Sequence, residues 1–348
     1  MNALIANPDP LGLPVPAWIL IGLKVFGFFI HLVFMNLWVA GLPVAFFLLK
    51  SRPALAERLL RAMPFFIAFG INAGIVPLLF LQTLYPQFFY PATILQAWFW
   101  FLIIPLLLIA YYSVYLASFG KFRPAATLFA AALLLTIGMM FSAALTLTAR
   151  PQAWPKIFLD TADAGAVHGL YIYLSAEVLL RFSLIVGMAF GTLAAYLVLD
   201  AEWFSQDRQL RDAARGLVWL YFSGAGLYVV AAALYASSIE ENIPRPWWLL
   251  ASASLGLGVA SAARYWRRPS RTAAAILINA QLSVLLFNAI ARQSVQNTEL
   301  MRWFDPHKAS VRGEWGSFAL FMITFAAALA ILFWLGKTAL HRARTGAG

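Results

Sequence analysis

Residues 18–50 read WILIGLKVFGFFIHLVFMNLWVAGLPVAFFLLK, with Lys24 and His31 as the only ionisable side chains before Lys50. A helix rises 1.5 Å per residue, so about 20 residues cross a hydrocarbon layer about 30 Å thick. The run 18–48 exceeds that length. A lone segment in hydrocarbon must satisfy its own backbone N–H and C=O groups, and this dictates a helix. Eight further stretches of the same character follow at 63–86, 93–118, 124–148, 166–199, 214–237, 247–263, 272–292 and 315–336. The expected fold is an all-α integral membrane protein with nine transmembrane helices. It forms a single membrane domain over 1–348, with four helices in 1–148 and five in 149–348. The first and fifth spans are the longest, and their outer ends are expected to protrude together.

Composition agrees. The chain is 62% hydrophobic and only 11% charged, too little polar surface to solvate a globule of this size. Cations fall in alternate gaps between the apolar runs: Lys50 to Arg61, Lys121 and Arg123, Arg208 to Arg215, Arg264 to Arg271, and Lys337 to Arg344 share one side. That side holds sixteen of the 25 Lys and Arg residues. Cations in short loops face the cytoplasm during insertion, so the N-terminus is expected outside and the C-terminus inside, in a bacterial cytoplasmic (inner) membrane. The formal charge of +11 is then explained by these loops, which face anionic membrane lipids. No nucleic-acid motif competes with that reading. On the other side, seven cations meet a similar number of acids, among them Asp9, Glu240, Glu241 and Glu299. Cysteine is absent, which excludes disulfides and covalent c-type haem. The acidic, proline-bearing start carries no basic patch of a cleaved leader, so the first span is expected to stay.

Ionisable groups inside hydrocarbon are costly and carry most of the functional information. His31 lies nineteen residues before Lys50, about 28 Å of helix, which places it toward the outer leaflet. Lys24 is seven residues earlier on the same face. A neutral imidazole on a membrane helix suits an axial haem ligand, and it equally suits a hydrogen bond to a neighbouring helix; residue type alone leaves both open. Glu177 and Arg181, at i and i+4, can pair along one face or serve proton transfer. Glu177 is the one acid expected inside the hydrocarbon. Gln281, Asn288, Arg292 and Gln296 recur at steps of seven, four and four, a polar stripe that must face other helices or a cavity. Aromatic residues such as Tyr85, Phe88, Phe89 and Tyr90 suit interfacial anchoring.

Three stretches carry a resemblance. They are Phe69-Gly70-Ile71-Asn72-Ala73-Gly74 in the second span, Pro151-Gln152-Ala153-Trp154-Pro155-Lys156-Ile157-Phe158 before the fifth, and Ala291-Arg292-Gln293 at the end of the eighth. Together with the topology and His31 in the first helix, this order resembles subunit I of the cytochrome bd quinol oxidase superfamily, in a reduced form. The resemblance implies a haem-ligating role for His31 and, with an insertion, for His168. It implies that Lys24, Arg292, Gln293 and Asn288 hold haem propionates or a quinone, and that Glu177 and Arg181 handle a proton.

The departures bear on activity. Gln96 and Ile104 stand where that family's third helix has glutamates, and Asn288 and Ala289 stand near its acidic ligand. The seventh span has no methionine, and the external loop is cut to 238–246. The resemblance therefore implies an electron-transfer subunit rather than a complete oxygen-reducing oxidase. Its cofactors would be one haem b, a second if His168 also serves, and a quinone. Its partners would be other respiratory subunits, with a c-type cytochrome on the external face. A haem-free membrane anchor and a secondary transporter are the competing expectations.

Overall fold

The computed structural model describes residues 5–8, 10–120, 122–167, 172–205, 207–238 and 245–345. Lys121, His168, Asp9, Glu240 and Glu241 lie outside them. The described chain is almost wholly helical: α1 (Ala17–Ser51), α2 (Pro53–Leu84), α3 (Pro86–Leu95), α4 (Trp98–Phe119), α5 (Arg123–Thr148), α6 (Trp154–Thr161), α7 (Ala176–Leu199), α8 (Arg208–Leu217), α9 (Trp219–Ser238), α10 (Arg245–Arg267), α11 (Arg271–Met301) and α12 (Trp315–Thr345). Among the described residues, eight helical stretches are long and apolar enough to cross a membrane: α1, α2, α4, α5, α7 with its extension to Phe204, α8 continuing into α9, α10 and α11. The protein is a multi-pass helical membrane protein. The apolar stretch of α12, Trp315–Ile331, is shorter.

Several boundaries differ from the periodicity reading, each for a local reason. The second helix starts at Pro53, ten residues earlier than hydropathy indicates, because Pro53 occupies its first turn, where a missing N–H is harmless. Its first turns carry Glu57, which pairs with Arg61 at 2.8 Å and with Arg123 at 3.3 Å. The third apolar run is broken: α3 ends at Leu95, and Ala97 takes a left-handed φ of 44° before α4 begins. The fifth helix begins at Ala176, ten residues later than expected, with the Ser175 side chain accepting from Val178 N. Ahead of it, Ala162–Asp163 and Ala166–Val167 pair as a two-residue antiparallel hairpin, where the expected span already ran as helix from 166. The eighth helix runs to Met301, nine residues beyond the apolar window.

Helices α1 and α2 form a long antiparallel pair, and α7 packs on both α1 and α9. Between membrane helices lipid tails are as apolar as leucine, so association depends on close packing and small residues. The α7–α9 crossing is the clearest instance. A Cβ at Gly187 would lie 2.8 Å from Tyr228 N, and one at Gly224 would lie 2.9 Å from Gly191 N. Backbone meets backbone there. A main core fills the bundle around Leu42, Met63, Met140, Leu193 and Tyr221. A second cluster lies at the end where α1 begins and α2 finishes, here termed the N-terminal end. It gathers Val15, Tyr85, Phe88, Trp154 and Leu300. The segment before α1 is strapped to the loop before α12 by Leu13 N to Ser310 O (2.8 Å) and Arg312 N to Leu13 O (2.8 Å).

Overpacking of a filled core typically costs about 1–3 kcal/mol. Gly224→Val is therefore expected to lower the thermal midpoint of the protein in detergent, whereas Gly226→Val, with open space around its Cβ, leaves it unchanged. Equal midpoints for the two variants would contradict the crossing.

Candidate functional site: a charged seam at the N-terminal end

Three helices bring ionisable side chains together within the bundle. From α1 come Lys24 and His31, from α11 the polar stripe, and from the start of α7 Glu177 and Arg181. The Lys24 side chain is buried, with only 6% exposure. Its Nζ donates to Gln296 Oε1 at 2.6 Å and lies 5.5 Å from the centre of the Tyr85 ring. The Tyr85 phenol, pushed well above its ordinary pKa by burial and then by the Asp305 charge, stays protonated. It donates to Asn297 Oδ1 at 2.9 Å, and Gln293 Nε2 donates to the same oxygen at 2.6 Å.

His31 is half-buried between α1 and α2. Its Nδ1 is 2.7 Å from Gly70 O. A carbonyl only accepts, so Nδ1 carries the proton and Nε2 keeps its lone pair. Among the described residues Nε2 has no hydrogen-bond partner. Gly74 makes room for the ring, since a Cβ there would lie 2.7 Å from Nδ1. Phe28 and Trp38 flank the ring, each with its centroid 6.3 Å away. Two segments of the glycine-rich run 69–74 thus act directly on His31, one as acceptor and one as space.

The α11 stripe is divided between two tasks. Gln281 and Asn288 hold helices together: Gln281 Nε2 donates to Thr192 Oγ1 at 3.0 Å, and Asn288 Nδ2 donates to Tyr228 OH at 3.0 Å. The Arg292 guanidinium stacks over Phe28 at 4.3 Å from the ring centre, a cation–π contact. It has no carboxylate partner among the described residues. Phe28 lies one turn from both Lys24 and His31, so the two cations and the imidazole share one seam between α1 and α11.

Next to them is a closed square of alternating charge. Glu177 and Arg181 do pair at i and i+4, at 2.7 Å, but they are half of a larger network. Arg150 Nε donates to Glu177 Oε2 at 2.9 Å, and its Nη2 reaches Glu299 Oε1 at 2.9 Å. Arg181 Nη2 faces Glu299 Oε2 at 3.4 Å, and its Nε donates to Tyr235 OH at 3.1 Å. Burial works against the Arg150 charge, but its hydrogen bond to Glu177 and the charges of both carboxylates outweigh it and hold Arg150 above its ordinary range.

Glu177 is therefore not the one interior acid. The Glu299 side chain has 0% exposure, where a loop position outside the membrane was expected. The signal lay in the stripe: Glu299 follows Gln296 by three residues, continuing the same helix face. Nothing in the sequence marked Arg150, which precedes Pro151 in a turn. The Pro151–Phe158 motif itself forms that turn and α6, with Trp154 Nε1 donating to Leu147 O at 3.0 Å. His168 lies outside the described residues.

Among the described residues the seam gathers Lys24, Arg150, Arg181 and Arg292 with Glu177 and Glu299, and both carboxylates pair with Arg150 and Arg181. Among the described residues no three His, Asp or Glu side chains converge to hold a bare metal ion. A small cavity lies deeper, between α7, α9 and α11, lined by Gly187, Tyr221, Gly224 and Gln281. His31 does not border it. Among the described residues the seam offers one imidazole, that of His31, beside the Lys24 and Arg292 side chains. No protein-family model matches this chain, and no curated protein matches its sequence.

Removing one member of a buried ion network leaves its partners uncompensated, typically at about 3–5 kcal/mol. Glu299→Gln is expected to destabilise the protein by about 3 kcal/mol in denaturant titrations in detergent. Adding Arg150→Gln should restore part of that loss, because the square then loses one charge of each sign. A Glu299→Gln variant as stable as wild type would contradict the network.

Proposed function

We propose that this protein is the membrane subunit of a respiratory redox complex, a reduced relative of cytochrome bd subunit I, that carries electrons between a quinone pool and an external cytochrome. In this reading α12 is the ninth crossing, the N-terminus is outside and the C-terminus inside, and the membrane is the bacterial cytoplasmic one. The observation that carries the reading is the state of His31. Its Nδ1 proton is fixed on a backbone carbonyl, the arrangement that orients a ligating histidine and raises its basicity. Among the described residues its Nε2 has no hydrogen-bond partner and keeps a lone pair that could bind a metal.

Haem b, when bound, supplies a one-electron couple. The chain's own contribution is binding and electrostatics. His31 would hold the iron, and Lys24 and Arg292, which have no carboxylate partner among the described residues, would meet the propionates. Gln296 orients Lys24, and Phe28 holds Arg292 in place. The square of Arg150, Glu177, Arg181 and Glu299 keeps α5, α7 and α11 in register beside the seam. Because both carboxylates are engaged by guanidinium groups, a proton passing this way would need the network to open. Asn288 and Gln293 are spent on Tyr228 and Asn297 and act here as supports. A c-type cytochrome and further subunits would dock on the N-terminal end, and a quinone would approach the same seam from the lipid.

The competing reading is a haem-free anchor, favoured by one observation: the His31 ring already packs between Phe28, Trp38 and Gly74. A reduced-minus-oxidised spectrum of protein produced with haem available separates the two. A b-type signal is expected in wild type, absent in His31→Ala and retained in Arg292→Gln with a changed midpoint potential. A wild-type protein with no Soret band would establish the anchor. An undiminished signal in His31→Ala would move the ligand elsewhere.

A further inference from the structure

The opposite end of the bundle carries a second charged assembly, independent of the redox reading. Two arginines there tie helix termini together. Arg52 Nη1 donates to Ala213 O at 3.0 Å in the last turns of α8, and Arg215 donates from Nε to Trp266 O at 2.6 Å and from Nη2 to Arg267 O at 3.2 Å. Guanidinium groups satisfy the orphan carbonyls and the negative dipole at a helix C-terminus. The result is that α8 is drawn against the end of α10.

Four further arginines stand on that junction. Arg264 and Arg267 are in the last turn of α10, Arg268 follows it, and Arg271 opens α11. All four are exposed, and none has a carboxylate partner among the described residues. The nearby acids do not neutralise them. Glu202 accepts from Tyr265 OH at 2.8 Å, Asp207 caps α8 by accepting from Gln209 N at 2.8 Å, and Asp212 is exposed on α8. Arg271 also sits at the positive end of a helix dipole, where a cation is unfavourable and an anion is favoured.

The second observation lies directly above this cluster. An open lateral groove runs between α10 and α11, lined by Leu257, Ala275, Ile276, Asn279 and Ser283. Ala275 and Ile276 are one helical turn from Arg271, so the groove continues the cationic cluster into the hydrocarbon layer. Trp266 and Trp219 are more than half exposed nearby, as befits rings at the headgroup level.

We propose that this junction is a binding site for an anionic phospholipid, its phosphates on Arg264, Arg267, Arg268 and Arg271 and its acyl chains along the α10–α11 groove. Four guanidiniums suit a lipid with two phosphates, of the diphosphatidylglycerol class, better than one with a single phosphate. Basic pockets between membrane helices bind such headgroups, at about 1 kcal/mol per cation near the surface.

The test uses the whole delipidated protein in detergent, with binding read by native mass spectrometry and by the thermal midpoint. Cardiolipin is expected to bind and raise the midpoint; phosphatidylcholine of the same chain length and inorganic phosphate are not. Arg268→Gln/Arg271→Gln should weaken cardiolipin binding about tenfold or more, while Lys308→Gln/Arg312→Gln, at the other end, leaves it unchanged. Equal affinity in the Arg268/Arg271 variant, equal binding of phosphatidylcholine, or full reproduction of the shift by phosphate alone would overturn the site. Should that variant fail to fold, salt decides on wild type. Raising ionic strength from about 0.1 M to about 1 M shortens the screening length from about 10 Å to about 3 Å and must weaken cardiolipin retention; salt-independent retention overturns the proposal.

Discussion

Charge buried away from water must be matched by opposite charge or by hydrogen bonds, and the N-terminal half of this bundle is organised around that constraint. Arg150 comes from the turn after α5, Glu177 and Arg181 from the first turns of α7, and Glu299 from the last turn of α11. Each of these side chains is largely buried within the protein, where an unpaired charge is costly. Together they form a ring in which each carboxylate touches two guanidiniums, and Tyr235 ties α9 to it. The same constraint sharpens the meaning of Lys24 and Arg292. Their contacts are a neutral amide and an aromatic face, which soften a buried cation without cancelling it. Among the described residues neither has a carboxylate partner, in contrast to the four balanced charges next door.

The division of labour between the two ends follows. At the N-terminal end charge is internal and, in the square of Arg150, Glu177, Arg181 and Glu299, paired, beside an imidazole whose tautomer is set by its backbone hydrogen bond. At the C-terminal end Glu57 and Asp200 pair with Arg61, Arg123 and Arg58, while Arg264, Arg267, Arg268 and Arg271 stand exposed at helix termini. Between them the bundle is held by packing in which small residues bring helix backbones into contact, as at Gly187 and Gly224, and by single polar links such as Asn36 Nδ2 to Thr192 Oγ1 at 3.1 Å.

Much of the fold was legible because hydropathy and the length of a membrane crossing are strong signals. The helices were placed by their apolar content, and the Glu177–Arg181 pair by its spacing. What hydropathy could not read were the features governed by backbone chemistry. Pro53 starts a helix inside a charged stretch, Ala97 breaks an apolar run with no change in composition, and the segment at 162–167 turns back as a hairpin through Ala164 and Gly165, both at positive φ. The site was legible where residues share one helix face and obscure where they meet across sequence. Glu299 was hidden because α11 extends past its apolar window, although its stripe pointed to it. Arg150 became part of the network only through tertiary packing.

The most direct measurement is an electron cryomicroscopy map of the purified protein at a resolution that shows side chains. The account predicts flat macrocycle density against α1 with its metal bonded to His31 Nε2, the Nδ1 hydrogen bond to Gly70 O intact, and carboxylate density on Lys24 and Arg292. A map in which α1, α2 and α11 close on one another, with the His31 ring enclosed by protein alone and Arg292 resting only on Phe28, would contradict it.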